Sequence, residues 1–240
     1  MALVAATGFF DGVHSGHRAV LREIIRLASE TGSESGIVTF WPHPRFLLES
    51  ASEDLRLLNT LEEKTDLIRE CGIRHVFVIP FTKDLSRMTA EDFISEILVK
   101  EYHLSTLVIG YDHRLGREKL SGQELKAVAE SCGLGVSIVE EFEVAASHVS
   151  STVIRSLIGD GNFSRASELL GYEWSVRYGD WAEGLKLLPS DGYYRIRLCD
   201  GGHCSEAECA VKCNSIRVYG SDECLKPETR IIFLERISEN

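Results

Sequence analysis

His14 and His17 stand three residues apart where an apolar run, residues 3–6, gives way to a helical pattern. Imidazoles at that spacing share one side of a helix start, so both can face one anion. Histidines placed this way donate hydrogen bonds to phosphate oxygens as charge builds up on them. That chemistry is positioning plus electrostatics and needs no covalent nucleophile. Gly8, Gly12 and Gly16 let the backbone approach a ligand closely, and Phe9, Phe10 and Asp11 complete the turn. A helix beginning near Gly16 offers free N–H groups and the positive end of its dipole to a phosphate. Residues 8–17 therefore read as a site for group transfer at a phosphate, with Gly8, Phe9, Phe10, Asp11, Gly12 and Gly16 against the nucleotide.

Three further segments carry suitable side chains beside a strand end or a helix start. Residues 39–45 read Thr-Phe-Trp-Pro-His-Pro-Arg. Pro42 and Pro44 stiffen that loop around His43, and Arg45 offers a planar fork for phosphate. Residues 110–116 read Gly-Tyr-Asp-His-Arg-Leu-Gly, a strand-to-loop turn holding Gly110 and Asp112. Residues 150–155 read Ser-Ser-Thr-Val-Ile-Arg, a helix N-terminus with a hydroxyl cap. The hydroxyls of Ser151 and Thr152 with free N–H groups can hold a phosphate, and Arg155, one turn on, can neutralise it.

The elements that must position these groups alternate in type. Strand candidates at 3–6, 36–40, 75–80, 106–110 and 136–139 are short and apolar on both faces, as a buried parallel sheet requires. Between them Val20, Leu21, Ile24, Ile25 and Ala28 recur at helical spacing, as do Phe93, Ile94, Ile97 and Leu98, and Leu125, Val128, Ala129 and Cys132. This alternation predicts right-handed βαβ units in an α/β, doubly wound, Rossmann-like parallel sheet. Ligands bind such sheets at the carboxyl ends of the strands, where residues 8–17 would lie. Two short helices near 152–158 and 163–170 are expected to close this domain, with Gly171 as a stop signal. The expected boundaries are 1–171 and 172–240. In the second part, runs at 174–178, 193–198, 209–213, 215–219 and 230–234 predict a small antiparallel β domain, a barrel or sandwich.

A net charge of −11 argues against broad nucleic-acid or anionic-membrane binding, which wants a basic face. One local pocket can still be basic, so phosphate ligands remain compatible. No apolar run reaches the roughly 18–20 residues of a membrane helix, and residues 1–6 carry no charged n-region. A cytoplasmic protein is the expectation. Seven cysteines, five of them between Cys199 and Cys224, do not suggest a disulfide framework in a chain this long. Cys204, Cys209 and Cys213 with His203 lack the paired spacing of a zinc site and read as small buried apolar residues on strands.

The stretch Gly-Phe-Phe-Asp-Gly-Val-His-Ser-Gly-His at 8–17 resembles the His-x-Gly-His nucleotidyltransferases, and more narrowly the adenylyltransferase module of bacterial bifunctional FAD synthetases. Thr-Phe-x-Pro-His-Pro-Arg and Ser-Ser-Thr-x-Ile-Arg agree with the same family. So does Gly-x-Asp-Phe-x-Phe-Gly, from which this chain departs at His113 and Leu115. Leu-x-Thr-x-x-Glu-Lys at 58–64 also agrees, and is explained equally well by a charged, solvated helix. The likeness spans about residues 3–171. It implies an FMN adenylyltransferase acting on ATP with Mg²⁺, taking FMN as substrate and giving FAD. The resemblance implies further that Pro42, His43, Pro44, Arg45, Gly110 and Asp112 serve the flavin side, and that His14, His17, Ser151, Thr152 and Arg155 are catalytic. The riboflavin kinase signature Gly-Phe-Pro-Thr-Ala-Asn does not occur, so the tail is expected to be a reduced remnant of that barrel without kinase activity. Two alternatives stay open: a different phosphorylated acceptor, or a flavin-nucleotide-binding regulatory protein without turnover.

Overall fold

The computed structural model describes residues 2–48, 55–140, 143–144, 147–181, 184–219 and 225–238. Cys224 lies outside them. The chain divides into two compact units, residues 1–54 with 61–143, and residues 55–60 with 144–240.

The first unit is built on a parallel sheet of β1 (Leu3–Thr7), β2 (Glu34–Trp41), β3 (His75–Pro80), β4 (Leu104–Ile109) and β5 (Gly135–Ile138), in the order β3-β2-β1-β4-β5. Every pairing is parallel. The chain winds outward from β1 to β3 and then crosses to β4 on the other side. The strand order thus reverses at β1 and β4, which opens a crevice at their carboxyl ends. All five residues of β1 are buried, as expected for a central strand covered on both faces.

Helix α1 (Ser15–Thr31) follows β1 and buries Val20, Leu21, Ile24 and Ala28 on one stripe. Burial of a Leu or Ile such as Leu21 or Ile24 contributes about 1.5–3 kcal/mol each. The helix ends at Gly32, whose φ of 62° lets its N–H reach back to the Ala28 carbonyl. The short α2 (Pro44–Leu48) and α3 (Leu61–Glu70) follow β2. After β3, α4 (Ala90–Asp92) runs directly into a π-helical stretch, Phe93–Glu101. The apolar pattern there predicts a helix without distinguishing its kind. The wider turn aligns residues five apart, so Phe93 and Leu98 are buried and Ile97 is only half-buried. Helix α5 (Gly122–Ser131) precedes β5 and buries Leu125 and Ala129.

A short pair, β6 (Glu143–Val144) and β7 (Ser147–His148), leads to α6 (Ser151–Gly159) and α7 (Phe163–Leu170). Both helices belong to the second unit. Gly171 ends α7 in the left-handed conformation, φ 77°. Beyond it, β8 (Ser175–Arg177), β9 (Gly192–Asp200), β10 (His203–Lys212), β11 (Ser215–Tyr219) and β12 (Arg230–Ile237) form one antiparallel sheet, ordered β11-β10-β9-β12-β8. It is the expected small antiparallel β domain, a single curled sheet with β11 and β8 as its edges. Phe163 of α7 packs against Tyr194 and Phe233 on its buried face.

Residues 55–60 join this second unit although both flanking segments belong to the first. The Leu57 N–H donates to the Leu185 carbonyl, and the Leu187 N–H donates back to Leu57. The Leu58 carbonyl accepts from Trp174 Nε1 at 3.1 Å and from the buried Lys186 Nζ at 2.9 Å.

The cysteines correct one expectation. Cys199 and Cys204 face each other across β9 and β10 and form a disulfide. Cys213 is exposed, and Cys209 alone of the three singled out is a buried apolar-like residue. Register explains this: in the hairpin the two bridged residues are directly opposed, a juxtaposition that spacing along the chain does not reveal. Among the described residues no group of three or more His, Cys, Asp or Glu could hold a metal, and no helix is long and apolar enough to cross a membrane.

Candidate functional site

The turn after β1 is where the backbone is most contorted. Phe10 and Val13, neither of them glycine, adopt positive φ of 56° and 38°, with Gly12 at 84° between them. Conformations of this kind cost energy and persist only where surroundings enforce them. Here Phe10, Asp11 and Val13 are buried, the Val13 N–H donates to the Phe10 carbonyl, and Arg18 Nε holds the Val13 carbonyl at 3.2 Å. The turn delivers His14 as the N-cap of α1.

The cap is unusual in its chemistry. His14 Nδ1 accepts the backbone N–H of His17 at 3.3 Å. An accepting Nδ1 carries no proton, so the His14 N–H is at Nε2. The His14 and His17 rings stack at 3.6 Å between centroids with a 15° interplanar angle. The pair is therefore brought together, as its spacing predicts, but ring on ring. Gly16 makes room for this, since a Cβ there would come within 3.3 Å of the His14 ring. Burial first, then the neighbouring His14, then Lys64, push the His17 pKa well below its ordinary value, so His17 is neutral at physiological pH. Its Nδ1 is buried and has no hydrogen-bond partner among the described residues, and the same holds for Thr7 Oγ1 at the end of β1.

Lys64, in the 58–64 segment expected only to support the fold, lies at the turn. Helix α3 is not a solvated charged helix at this point: Glu63 and Lys64 are both buried, Lys64 to 1% exposure. Lys64 Nζ donates to the Phe9 carbonyl at 3.0 Å and to Thr39 Oγ1 at 3.1 Å, and lies 3.7 Å from the centroid of the Phe9 ring. Thr39 Oγ1 in turn donates to the same carbonyl at 3.3 Å. Burial lowers the Lys64 pKa from 10.5 to about 8, opposed by the nearby Asp11 charge. Holding it charged in the folded protein thus costs about 3 kcal/mol, at 1.36 kcal/mol per pKa unit. That cost is full below pH 8 and is relieved as pH rises toward 10.5, because there the unfolded chain holds the extra proton. The available signal was the Leu-x-Thr-x-x-Glu-Lys resemblance at 58–64, and a charged pair at the start of a helix ordinarily points to water.

The loop at 39–45 gathers around Phe9. His43 meets the Phe9 ring edge-on at 4.1 Å, and Trp41 stacks at 6.3 Å. The Trp41–Pro42 peptide is cis. Arg45 is exposed, and its N–H is bound by His43 Nδ1.

A cavity of about 510 Å³ opens within this unit. Phe9, Phe40, Phe81 and Phe93 line it with Met88, and Arg114, Arg117 and Lys119 bring three cations to it. Of the residues expected on the flavin side, Pro44 lines the cavity. Arg45 and Asp112 are exposed and do not. From the loop at 110–116, Arg114, Leu115 and Gly116 contribute instead. His113, which stands where the family carries phenylalanine, has a buried Nε2 without a partner among the described residues, and burial lowers its pKa to about 4. It stays neutral as the ring it replaces would.

Gly116 sits at φ 75°, and a Cβ there would approach the Ala90 nitrogen and Glu118 Oε2 to 2.4 Å. Glu118 uses that oxygen to cap the Ala90 N–H. Gly116→Ala is therefore expected to cost about 2 kcal/mol and to lower the melting temperature by about 4–8 °C, read by calorimetry. An unchanged melting temperature would show that the close approach is not enforced.

In the second unit, Ser150 caps α6 by accepting the Val153 N–H at 3.3 Å, as the hydroxyl pattern predicts. Ser151 and Thr152 occupy the first turn. Arg155 commits its Nε to the Arg56 carbonyl at 2.9 Å and so also helps to hold residues 55–60.

Residues 1–153 match the FAD synthetase family. The chain belongs to that family. A bifunctional riboflavin kinase/FMN adenylyltransferase of Listeria monocytogenes is 32% identical, over 97% of this chain and 79% of that protein. An FAD synthetase of the same organism is 31% identical, over 81% of this chain and 80% of its own length. Among solved structures, a macrolide-efflux protein from Streptococcus pneumoniae superposes with a TM-score of 0.84 at 23% identity. That match covers 100% of this chain and 86% of the other and establishes a shared fold. Within the FAD synthetase family frame, the stacked histidines and the cavity lie in the segment that the family match covers.

Proposed function

We propose that this protein is an FMN adenylyltransferase, converting ATP and FMN to FAD and pyrophosphate. One observation carries the reading: the stacked His14–His17 pair shares a unit with an aromatic cavity that bears three cations. A planar apolar ring system with a phosphate is the chemistry such a cavity suits.

An FMN phosphate oxygen attacks the α-phosphorus of ATP, forming one P–O bond. The bond from that phosphorus to the bridging oxygen breaks, and its electron pair leaves with pyrophosphate. His14, through Nε2–H, and His17 stabilise the charge on the transferring and leaving phosphates. The backbone at Gly8, Phe9, Phe10, Asp11, Gly12 and Gly16 lies against the nucleotide. Ser151, Thr152 and Arg155 keep the triphosphate role their motif implies. Mg²⁺ arrives with ATP as part of the substrate. On the flavin side, Arg114 and Gly116 join the expected Pro42, His43, Pro44, Arg45, Gly110 and Asp112.

The tail, residues 172–240, lacks Gly-Phe-Pro-Thr-Ala-Asn, and we assign it no riboflavin kinase activity. Incubation with ATP and Mg²⁺ and either FMN or riboflavin, followed by product analysis, tests both statements. FAD from FMN alone is expected. FMN from riboflavin would overturn the statement about the tail, and no FAD from folded protein would overturn the reading itself.

A further inference from the structure

The buried ammonium of Lys64 is a charge the fold retains without hydrogen-bonding it to a carboxylate among the described residues. Its two hydrogen bonds go to neutral oxygens, the Phe9 carbonyl and Thr39 Oγ1. Asp11, His14 and His17 are the titratable groups nearest it on the turn; Asp11 and His17 interact with it electrostatically. From β2 come Thr39 and Trp41, the latter with its ring centroid 5.9 Å away. A cation desolvated to this degree destabilises a fold unless something offsets it. An anion arriving at the turn would do so.

We infer that Lys64 is the positioning residue of the phosphate-binding turn, tying the Phe9 carbonyl to β2 and setting a buried positive charge behind the two histidines. The inference rests on the proposed nucleotide site. The tether explains how a turn with Phe10 and Val13 at positive φ is held in place. The charge acts through the turn and His17 rather than by touching substrate: after burial and His14 it adds to what lowers the His17 pKa in the free protein, and it favours a polyphosphate at the turn.

Two substitutions separate this role from plain packing. Lys64→Met keeps the stem and removes the charge, and the Phe9 carbonyl still accepts from Thr39, so the variant is expected to fold with a melting temperature no lower than wild type. Lys64→Arg keeps a charge that does not titrate below pH 12. ATP binding by calorimetry and FAD formation are measured between pH 6 and 10. In wild type, ATP affinity and kcat/KM are expected to fall as pH rises through about 8, where free Lys64 loses its proton. Lys64→Met is expected to show roughly tenfold weaker ATP binding at pH 7 and no such limb, at the scale of one charge-assisted contact. Lys64→Arg recovers affinity and also lacks the limb. Should the Met variant fail to fold, the arginine profile decides alone. A limb near pH 8 that persists in either variant, or unchanged ATP affinity in Lys64→Met, overturns the inference. Because ATP binding is read without turnover, a wild type that binds ATP with this pH dependence yet makes no FAD would defeat the functional reading while leaving Lys64 in its role.

Discussion

His17→Ala is expected to lower kcat for FAD formation by about 10²–10³, the cost of removing one pre-aimed donor from a site where charge develops. The size follows from how the ring is held. It stacks on His14 at 3.6 Å, its backbone N–H is fixed by His14 Nδ1, and its own Nδ1 is buried without a partner among the described residues. Such a ring pays little reorganisation when a phosphate oxygen arrives. Burial, His14 and Lys64 hold it neutral, so the kcat/KM profile, which reports the free enzyme, is expected to show no acid limb from His17 between pH 6.5 and 7.5. An anion in the site favours the imidazolium and raises this pKa, so any acid limb belongs in kcat. His17→Asn, which keeps a donor, should retain part of the rate. A rate for His17→Ala within twofold of wild type, in a variant with unaltered circular dichroism, would sink the assignment.

Trp174→Ala is expected to destabilise the second unit by about 3–5 kcal/mol, measured by urea unfolding followed by far-ultraviolet circular dichroism. Trp174 is 1% exposed, packs 5.8 Å from Phe233 between centroids, and donates Nε1–H to the Leu58 carbonyl. Truncation leaves a cavity, while the carbonyl keeps its bond from Lys186. Most of the loss is therefore packing, and Trp174→Phe, which loses mainly the N–H, should cost about 0.5–1.5 kcal/mol. Equal losses in the two variants would instead place the stabilisation in the hydrogen bond to residues 55–60.

Much of the frame was legible along the chain. β3 and β11 occupy the expected ranges and the other strands shift at their ends, β10 most, because apolar runs between turn residues mark where strands lie better than where they begin and end. The Ser150 cap and the Gly171 stop follow from local backbone chemistry in the same way. The π-helical turn at Phe93–Glu101 did not follow, since five- and four-residue periods look alike over nine residues.

The histidine pair was visible as spacing, and so was the glycine that makes room for it. Local sequence thus determined that a contorted turn would present two imidazoles beyond β1. Which cation lies near them, and that the His17 ring is neutral, depended on burial and on Thr39 and Lys64, 30 and 55 positions beyond Phe9, converging on its carbonyl. The cavity's cations were likewise assigned by packing, to Arg114, Arg117 and Lys119 rather than Arg45. A side chain's type states which bonds it can make. Burial and the company it keeps decide its charge and its partner, and both are properties of the folded chain.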